Sequence, residues 1–261
     1  MISFFRRFRQ SLLGQNRFQR YFMYGLGEIL LVVLGILIAL QIDNWNESRK
    51  EREIEQTVLL QLQEDFRSNL TQLNQKIQMR DEIIESSLYI LNATDDPETA
   101  NRDSLIARFS VLLVDPTFDP IKFDLSSTGN LRLLSNAKLK RLLSNWTSDI
   151  VAVQEIEQNW SDIVNEQLQP ELNQLGVARD LADYFANDLQ ADWQLEKASG
   201  KKRIPIGAAR EPVSAIQIAE SKVLESLVSM AITYNNAANI QAETVRKRIE
   251  EILSLIEAEI H

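Results

Sequence analysis

The sequence contains no cysteine, and its single histidine is His261 at the last position. Without thiols the chain has no disulfide framework and no cysteine nucleophile, and a zinc site built from Cys and His ligands is excluded. A histidine at the end of the chain is also poorly positioned to act as a general base. We therefore expect no enzyme, no catalytic residue, no metal and no cofactor. Two carboxylates that meet only in the fold would, however, leave no pattern in the sequence.

Glycine and proline are also scarce, with 8 and 6 residues in 261. Neither occurs between Gly35 and Asp96, so nothing in this stretch interrupts a helix. The alternation of apolar and polar residues that would indicate a half-buried strand is missing as well. The sequence predicts an all-α fold.

Basic residues are in the minority, and the formal net charge is −9. Five arginines and no acidic residue precede Glu28, so the acidic surplus belongs to the long C-terminal part of the chain. A strongly acidic domain repels nucleic acid, and we expect no nucleic-acid partner.

A long apolar run is present at residues 21–42. At a rise of about 1.5 Å per residue it covers about 33 Å, enough for a hydrocarbon core of about 30 Å. Tyr21 and Tyr24 stand at one end and Trp45 lies just past the other, as interfacial aromatics do. A buried core helix and a cleaved signal peptide are the alternatives, but residues 41–44 lack the small side chains of a cleavage site. We predict an uncleaved transmembrane helix.

The distribution of Lys and Arg predicts its orientation. Five arginines lie before the span, whereas Arg49, Lys50 and Arg52 follow it. Because the positive-inside rule counts basic residues, the N-terminus is expected in the cytoplasm. The predicted organisation is a basic amphipathic cytoplasmic segment (1–20), a transmembrane helix (21–42) and a helical domain outside the cytoplasm (43–261).

The residues before the span combine aromatic and basic side chains. On a short helix the two sets would occupy different faces; they are Phe4, Phe5 and Phe8, and Arg6, Arg7 and Arg9. This composition is typical of an interfacial helix on the anionic inner leaflet of the bilayer. A basic segment that merely orients insertion is the alternative.

After the span, apolar residues recur every three or four positions. The predicted stripe of the first helix is Ile54, Val58, Leu62, Phe66, Leu70, Leu73, Ile77, Ile84, Leu88 and Leu91. Further helices are predicted from the Asn136 cap to Gln169, over 178–197, and from the Ser214 cap to the C-terminus. Such helices predict an antiparallel helical bundle, into which the membrane helix runs on unless Asp43–Asn46 break it.

Glu28 lies near the start of the apolar run, and it is the candidate for a functional site. Tyr24, Glu28, Gly35 and Ala39 share one helix face, and Gly35 and Ala39 have the small-xxx-small spacing that lets membrane helices approach closely. We interpret this face as a helix–helix contact in which Glu28 bonds a partner. Alternatively, Glu28 snorkels to the interface, pairs with Arg20 or Tyr24, or handles protons or ions.

The stretch GEILLVVLGILIALQIDNWNE at Gly27–Glu47, preceded by FFRRFRQSLL at Phe4–Leu13, resembles a family of uncharacterised single-pass membrane proteins of the Bacteroidota. A weaker similarity lies at Ser126–Asn136. The resemblance implies an inner-membrane anchor and a helical periplasmic domain. It implies no activity and no catalytic residues.

Three functions fit these observations. The first is an anchored periplasmic scaffold or interaction protein that forms a homo-oligomer or binds a membrane-protein partner, without catalysis. The second is a periplasmic module that senses a ligand within the bundle. The third is an accessory subunit of a proton-driven envelope machine that uses Glu28.

Overall fold

The computed structural model describes residues 17–121, 130–189 and 202–260, and no strand occurs within these ranges. The predicted all-α fold is therefore confirmed. In chain order the elements are α1 (Arg17–Asp95), a 3₁₀ turn (Pro97–Thr99), α2 (Arg102–Leu112), α3 (Asn130–Leu133), α4 (Ala137–Ile163), a π-helix (Val164–Leu168), α5 (Gln169–Leu175), α6 (Ala178–Asn187), α7 (Ala215–Ala219) and α8 (Lys222–Glu259). The chain divides into two compact units, residues 1–57 and 58–261.

The described part of the first unit is helical throughout. Asp43–Asn46, where a break was allowed, have helical backbone. Every side chain from Leu26 to Ile42 is exposed to its surroundings. No described residue packs against this stretch, and a long exposed apolar surface marks a site of protein or membrane contact.

The second unit is a bundle of three long helices: α1 from residue 58 onward, α4 and α8. α8 runs antiparallel to α1, because Arg67 pairs with Glu257 (2.9 Å) while Arg80 bonds Asn239 (3.3 Å). Residue numbers therefore rise along α1 in the direction in which they fall along α8. This pair has the predicted antiparallel arrangement.

α4, in contrast, runs in the same direction as α1. The ring of Phe66 meets the ring of Trp146 edge to face at 5.0 Å, and Arg80 pairs with Glu157 further along both helices. Two parallel helices cannot be joined by a short turn. The connection between them therefore has to travel back along the bundle.

The apolar interior of the bundle consists of two clusters. The first core contains Leu59–Ile77 of α1, Leu139–Val153 of α4 and Ala242–Ile256 of α8 as its main segments. The second core contains Ile83–Ala93 of α1, Trp160–Leu181 and Leu224–Ala231 of α8, together with α2. Residues near position 80 of α1 and 157 of α4 thus lie between the two cores.

The buried seam of α1 differs from the predicted stripe. Its members are spaced three or four residues apart, as along the seam of a coiled coil; they are Leu59, Leu62, Phe66, Asn69, Leu73, Ile77, Arg80, Ile83, Ser87 and Ile90. Ile54 and Leu88 of the predicted stripe are each 49% exposed. The prediction was wrong at these positions because it counted apolar residues alone and so passed over the polar seam residues.

The helix predicted from Asn136 to Gln169 begins where expected. The Asn136 side chain accepts from the N–H groups of Lys138 and Leu139, both at 3.0 Å. Pro170 does not end it, contrary to the prediction, because a π-helix precedes it: the Gln169 N–H bonds the Val164 carbonyl, five residues back. Pro170 then sits in the first turn of α5, where its missing N–H costs little.

Two other predicted helices are shorter than expected. α6 ends at Asn187, because the N–H groups of Asp188 and Leu189 both turn back to the Tyr184 carbonyl at 2.8 and 2.9 Å. The C-terminal helix is divided in two. Ser214 caps α7 through a reciprocal bond pair with Gln217, and Ser221 caps α8.

Candidate membrane-contact face and buried polar layer

Within the described part of the chain, one helix is long and apolar enough to cross a membrane, and it begins at Tyr21. None of the 18-residue apolar window is buried. The core helix of a soluble protein would be mostly buried, so the exposure favours a lipid-facing segment. A signal sequence satisfies the same length and composition criteria.

The predicted contact face lies along this exposed segment. Tyr24 and Glu28 line one shallow groove with Leu31, and Ala39 lines another with Ile42. Gly35 lies between them, and a side chain added there would meet no atom within 4 Å. Among the described side chains, none makes a hydrogen bond or ion pair with Glu28. The face is open along its length, and its use as a contact stays a prediction.

The residues predicted to bind the membrane surface lie before residue 17. They are Phe4, Phe5, Phe8, Arg6, Arg7 and Arg9, and all fall outside the described residues. Their role stays a prediction.

Between the two apolar cores lies a polar layer that was not predicted from the sequence. Its centre is Arg80 of α1, whose side chain is fully buried. The guanidinium donates to Glu157 of α4, to Asn239 of α8 (3.3 Å) and to the carbonyl of Pro116 (3.3 Å). One side chain thus links all three long helices and the connection between α2 and α4.

Glu157 completes the polar layer from α4 and is also buried. One carboxylate oxygen accepts from Arg80, and the other accepts from the backbone N–H of Phe118 at 3.0 Å. The Phe118 carbonyl accepts in turn from Gln154 at 3.1 Å. Burying these charges is tolerable because nearly all their polar atoms have partners.

The segment Asp115–Ile121, which we call the strap, passes over this layer. Its far end is fixed by Asn69 of α1, which accepts from the Ile121 N–H at 2.8 Å and donates to the Ile121 carbonyl at 3.3 Å. From Pro116 beside Arg80 to Ile121 beside Asn69 the strap runs opposite to α1. Five extended residues span about 16 Å, as do eleven helical residues. The strap is therefore part of the return path that the parallel helices require, and α2, whose Arg108 contacts Ser86 and Tyr89, precedes it.

Burial changes the acid–base properties of groups around the layer. It lowers the pKa of Arg80 to about 10, against a smaller opposing effect from the Asp81 carboxylate. Arg80 thus keeps its charge at neutral pH. Partial burial raises the pKa of Asp81, and the nearby carboxylates Glu85 and Glu243 raise it further. Asp81 accepts from Asn239 at 2.7 Å, which ties it to the same layer.

A second polar cluster fixes the end of the loop before α7. Asp180 of α6 is buried, accepts from Arg102 at 2.8 Å, and accepts from the Ala209 N–H at 3.1 Å. Arg102 also donates to the Val213 carbonyl at 2.7 Å. The same loop bonds α6 further along, where Asn187 exchanges two hydrogen bonds with the backbone of Ile204. Residues 202–213 are therefore attached along α6.

A shallow apolar cleft lies beside the π-helix. Its walls are Leu113, Leu172, Leu181 and the half-exposed Phe185, and the amides Gln169 and Asn173 also border it. No group of three or more carboxylate or histidine side chains in the described ranges could hold a metal ion.

A signal for the polar layer was present in the sequence. Arg80 interrupts the apolar stripe between Ile77 and Ile84, at the position where an apolar residue was due. A charged residue on a seam indicates a buried polar contact. Its partner Glu157 could not be named, because it lies 77 residues away on another helix.

Comparison with known proteins bears mainly on α1. Residues 28–96 match a family of unknown function, DUF6090. The match begins at Glu28 and extends one residue past the end of α1, so it contains Gly35, Ala39, Asn69 and Arg80. It agrees with the resemblance to an uncharacterised family and assigns no activity. No curated protein and no solved structure matches the chain.

Proposed function

We propose that the protein is a membrane-anchored scaffold or interaction protein without catalytic activity. Residues 21–42 cross the inner membrane once with the N-terminus in the cytoplasm, and the bundle lies in the periplasm. The chain acts in a homo-oligomer or with a membrane-protein partner, which it contacts through the face of Glu28, Gly35 and Ala39. The basic aromatic segment before the span rests on the anionic leaflet.

The observation that carries this proposal is the wholly exposed apolar window of α1. Apolar side chains without protein neighbours require lipid or another helix. The open space around Gly35 lets a second backbone approach closely. A carboxylate at the start of such a face is costly in hydrocarbon unless it bonds a partner or reaches water.

The test uses the absence of native cysteine, since a single introduced thiol has no competitor. Ala39→Cys places a thiol on the proposed face, and Leu37→Cys places one on the opposite side at nearly the same depth. Oxidative crosslinking in native membranes should give dimers with Ala39→Cys and little with Leu37→Cys. Equal yields from both variants, or no dimer from either, would contradict a homo-oligomer on this face.

Glu28 separates the scaffold from the proton-driven alternative. In an Ala39→Cys background, Glu28→Leu should lower the dimer yield because it removes a hydrogen bond worth about 1 kcal/mol, roughly a fivefold change in association. Glu28→Gln keeps the hydrogen bond and should preserve the yield. A Glu28→Gln variant that dimerises normally yet loses its cellular phenotype would favour proton handling instead.

A second candidate function is ligand sensing, which the cleft at Phe185 favours. Apolar walls with two amides at their border suit a small amphiphile. A thermal-shift screen of small amphiphiles on the full chain tests it. Compounds that raise the melting temperature of the wild type and not of Phe185→Ala would support sensing, and a screen without such compounds would count against it.

A further inference from the structure

The strap crosses the bundle between the two apolar cores, and side chains make the hydrogen bonds that attach it there. We propose that the strap is a releasable unit that the Arg80–Glu157 pair holds closed, and that its release withdraws Phe118 and opens the bundle at the polar layer while the helices of both cores stay packed together. The fold would then contain a two-state element between its two halves.

The strap has one buried face and one exposed face. Pro116, Phe118 and Pro120 are buried, whereas Asp115 and Asp119 are exposed. This alternation is that of an extended chain laid on a surface. The Phe118 side chain, which is fully buried, belongs to the first core. The strap therefore behaves as a docked segment with Phe118 as its anchor.

The attachment depends on side chains. Pro116 and Phe118 are bonded by Arg80, Glu157 and Gln154, and Ile121 is bonded by Asn69. Pro116 and Pro120 have no N–H, so the strap has few donors of its own. Among the described residues no backbone–backbone hydrogen bond attaches residues 115–121 to the rest of the chain, so the strap can open locally without breaking a helix. Its closed state consequently depends on a small number of groups.

The Arg80–Glu157 pair is central among these groups. It makes two of the five hydrogen bonds that described side chains outside the strap form with its main chain, and it lies under the buried anchor Phe118. Release would uncover a buried ion pair and an apolar socket at once. Both are features that a binding partner or a change of conditions could exploit, which gives the helical domain a switchable site.

The test measures hydrogen exchange at two backbone amides that are bonded to different side chains: the Phe118 N–H to Glu157 and the Ile121 N–H to Asn69. The full chain in detergent is compared with the double variant Arg80→Met/Glu157→Met, which keeps the layer filled with side chains of similar length. Amide hydrogen exchange is resolved to single residues. We expect exchange at both Phe118 and Ile121 to accelerate by about tenfold or more, with no change in the core of α8.

The matched control is Asn69→Leu, which removes the outer tether and leaves the polar layer intact. It should accelerate exchange at Ile121 and leave Phe118 protected. Two results would overturn the proposal. In one, the double variant frees Phe118 while Ile121 stays protected, so the pair does not hold the strap. In the other, α8 loses protection together with the strap, so the strap has no separate open state.

Discussion

Arg80 is a charged residue on a seam that elsewhere buries mostly apolar residues. The free-energy cost of burying its charge is offset by hydrogen-bond partners on three elements. Buried pairs of this kind contribute little net stability compared with apolar residues of the same size, but breaking one is expensive. Such residues instead fix the register of helices. In this bundle the layer allows Arg80, Glu157 and Asn239 to meet in only one alignment of α1, α4 and α8.

The effects of substitutions at Glu157 and Arg80 on the free energy of unfolding should be markedly non-additive. Glu157→Leu leaves Arg80 buried without its counter-ion and should lower the free energy of unfolding by about 3–5 kcal/mol. Adding Arg80→Met should restore most of that loss, because the remaining charge is removed. Chemical denaturation followed by circular dichroism measures both. A double variant no more stable than Glu157→Leu alone would refute the idea that the unpaired charge causes the loss.

Asp81 gives a prediction about pH. Its pKa is raised by burial first and by neighbouring carboxylates second, so the folded state holds the proton more tightly than the unfolded state. Stability contributed by this group therefore falls as pH rises from its ordinary range through the raised pKa. At about pH 7 Asp81→Asn should raise the melting temperature, and at about pH 4 the difference should shrink.

The matched control for Asp81 is Glu155→Gln, which neutralises an exposed carboxylate on α4. It should shift the melting temperature little, with no comparable dependence on pH. If the two substitutions give the same profile, the effect arises from net charge and not from the site of Asp81.

At the scale of elements, the loop 202–213 is held by α6 through carboxylates and an amide. Asp180→Ala removes the acceptor for both Arg102 and the Ala209 N–H, a loss of about 1–3 kcal/mol in local attachment. Trypsin should then cut after the exposed Arg210 several-fold faster. Asp188→Ala, which removes only a 3.7 Å ion pair with exposed Arg203, serves as the control and should leave the rate at Arg210 unchanged.

The elements show what local sequence patterns can and cannot predict. The apolar run and the caps Asn136 and Ser214 are local signals: the run is helical and exposed, and both caps lie where they were predicted. The start of α8 at the Ser221 cap is a local signal that the prediction passed over. The continuation past Pro170 depends on a π-helix, which local preference does not predict. The stripe of α1 was misread for a related reason: polar seam residues are recognisable only when their partners are known.

At the scale of the molecule, the property to be tested is the orientation of the chain across the membrane. The positive-inside bias predicts that residue 15 lies in the cytoplasm and residue 233 in the periplasm. Gln15→Cys and Thr233→Cys, each the sole cysteine of its chain, can be treated with a membrane-impermeant maleimide in intact spheroplasts. Thr233 is exposed on α8. Thr233→Cys should react at once and Gln15→Cys only after lysis. The reverse pattern would show that the chain is inverted.

The long stretch of sequence between α1 and its partner helix α8 also affects how the protein is made. The partners of α1 on α8 lie 159 and 190 residues further along the chain. At 5–20 residues per second, translation takes roughly 10–40 s to cover that distance. If the anchor inserts as soon as it leaves the ribosome, the apolar seam of α1 waits outside the membrane through that interval without its partners. Its biogenesis would therefore depend on a holding chaperone on the side of the membrane where the bundle folds.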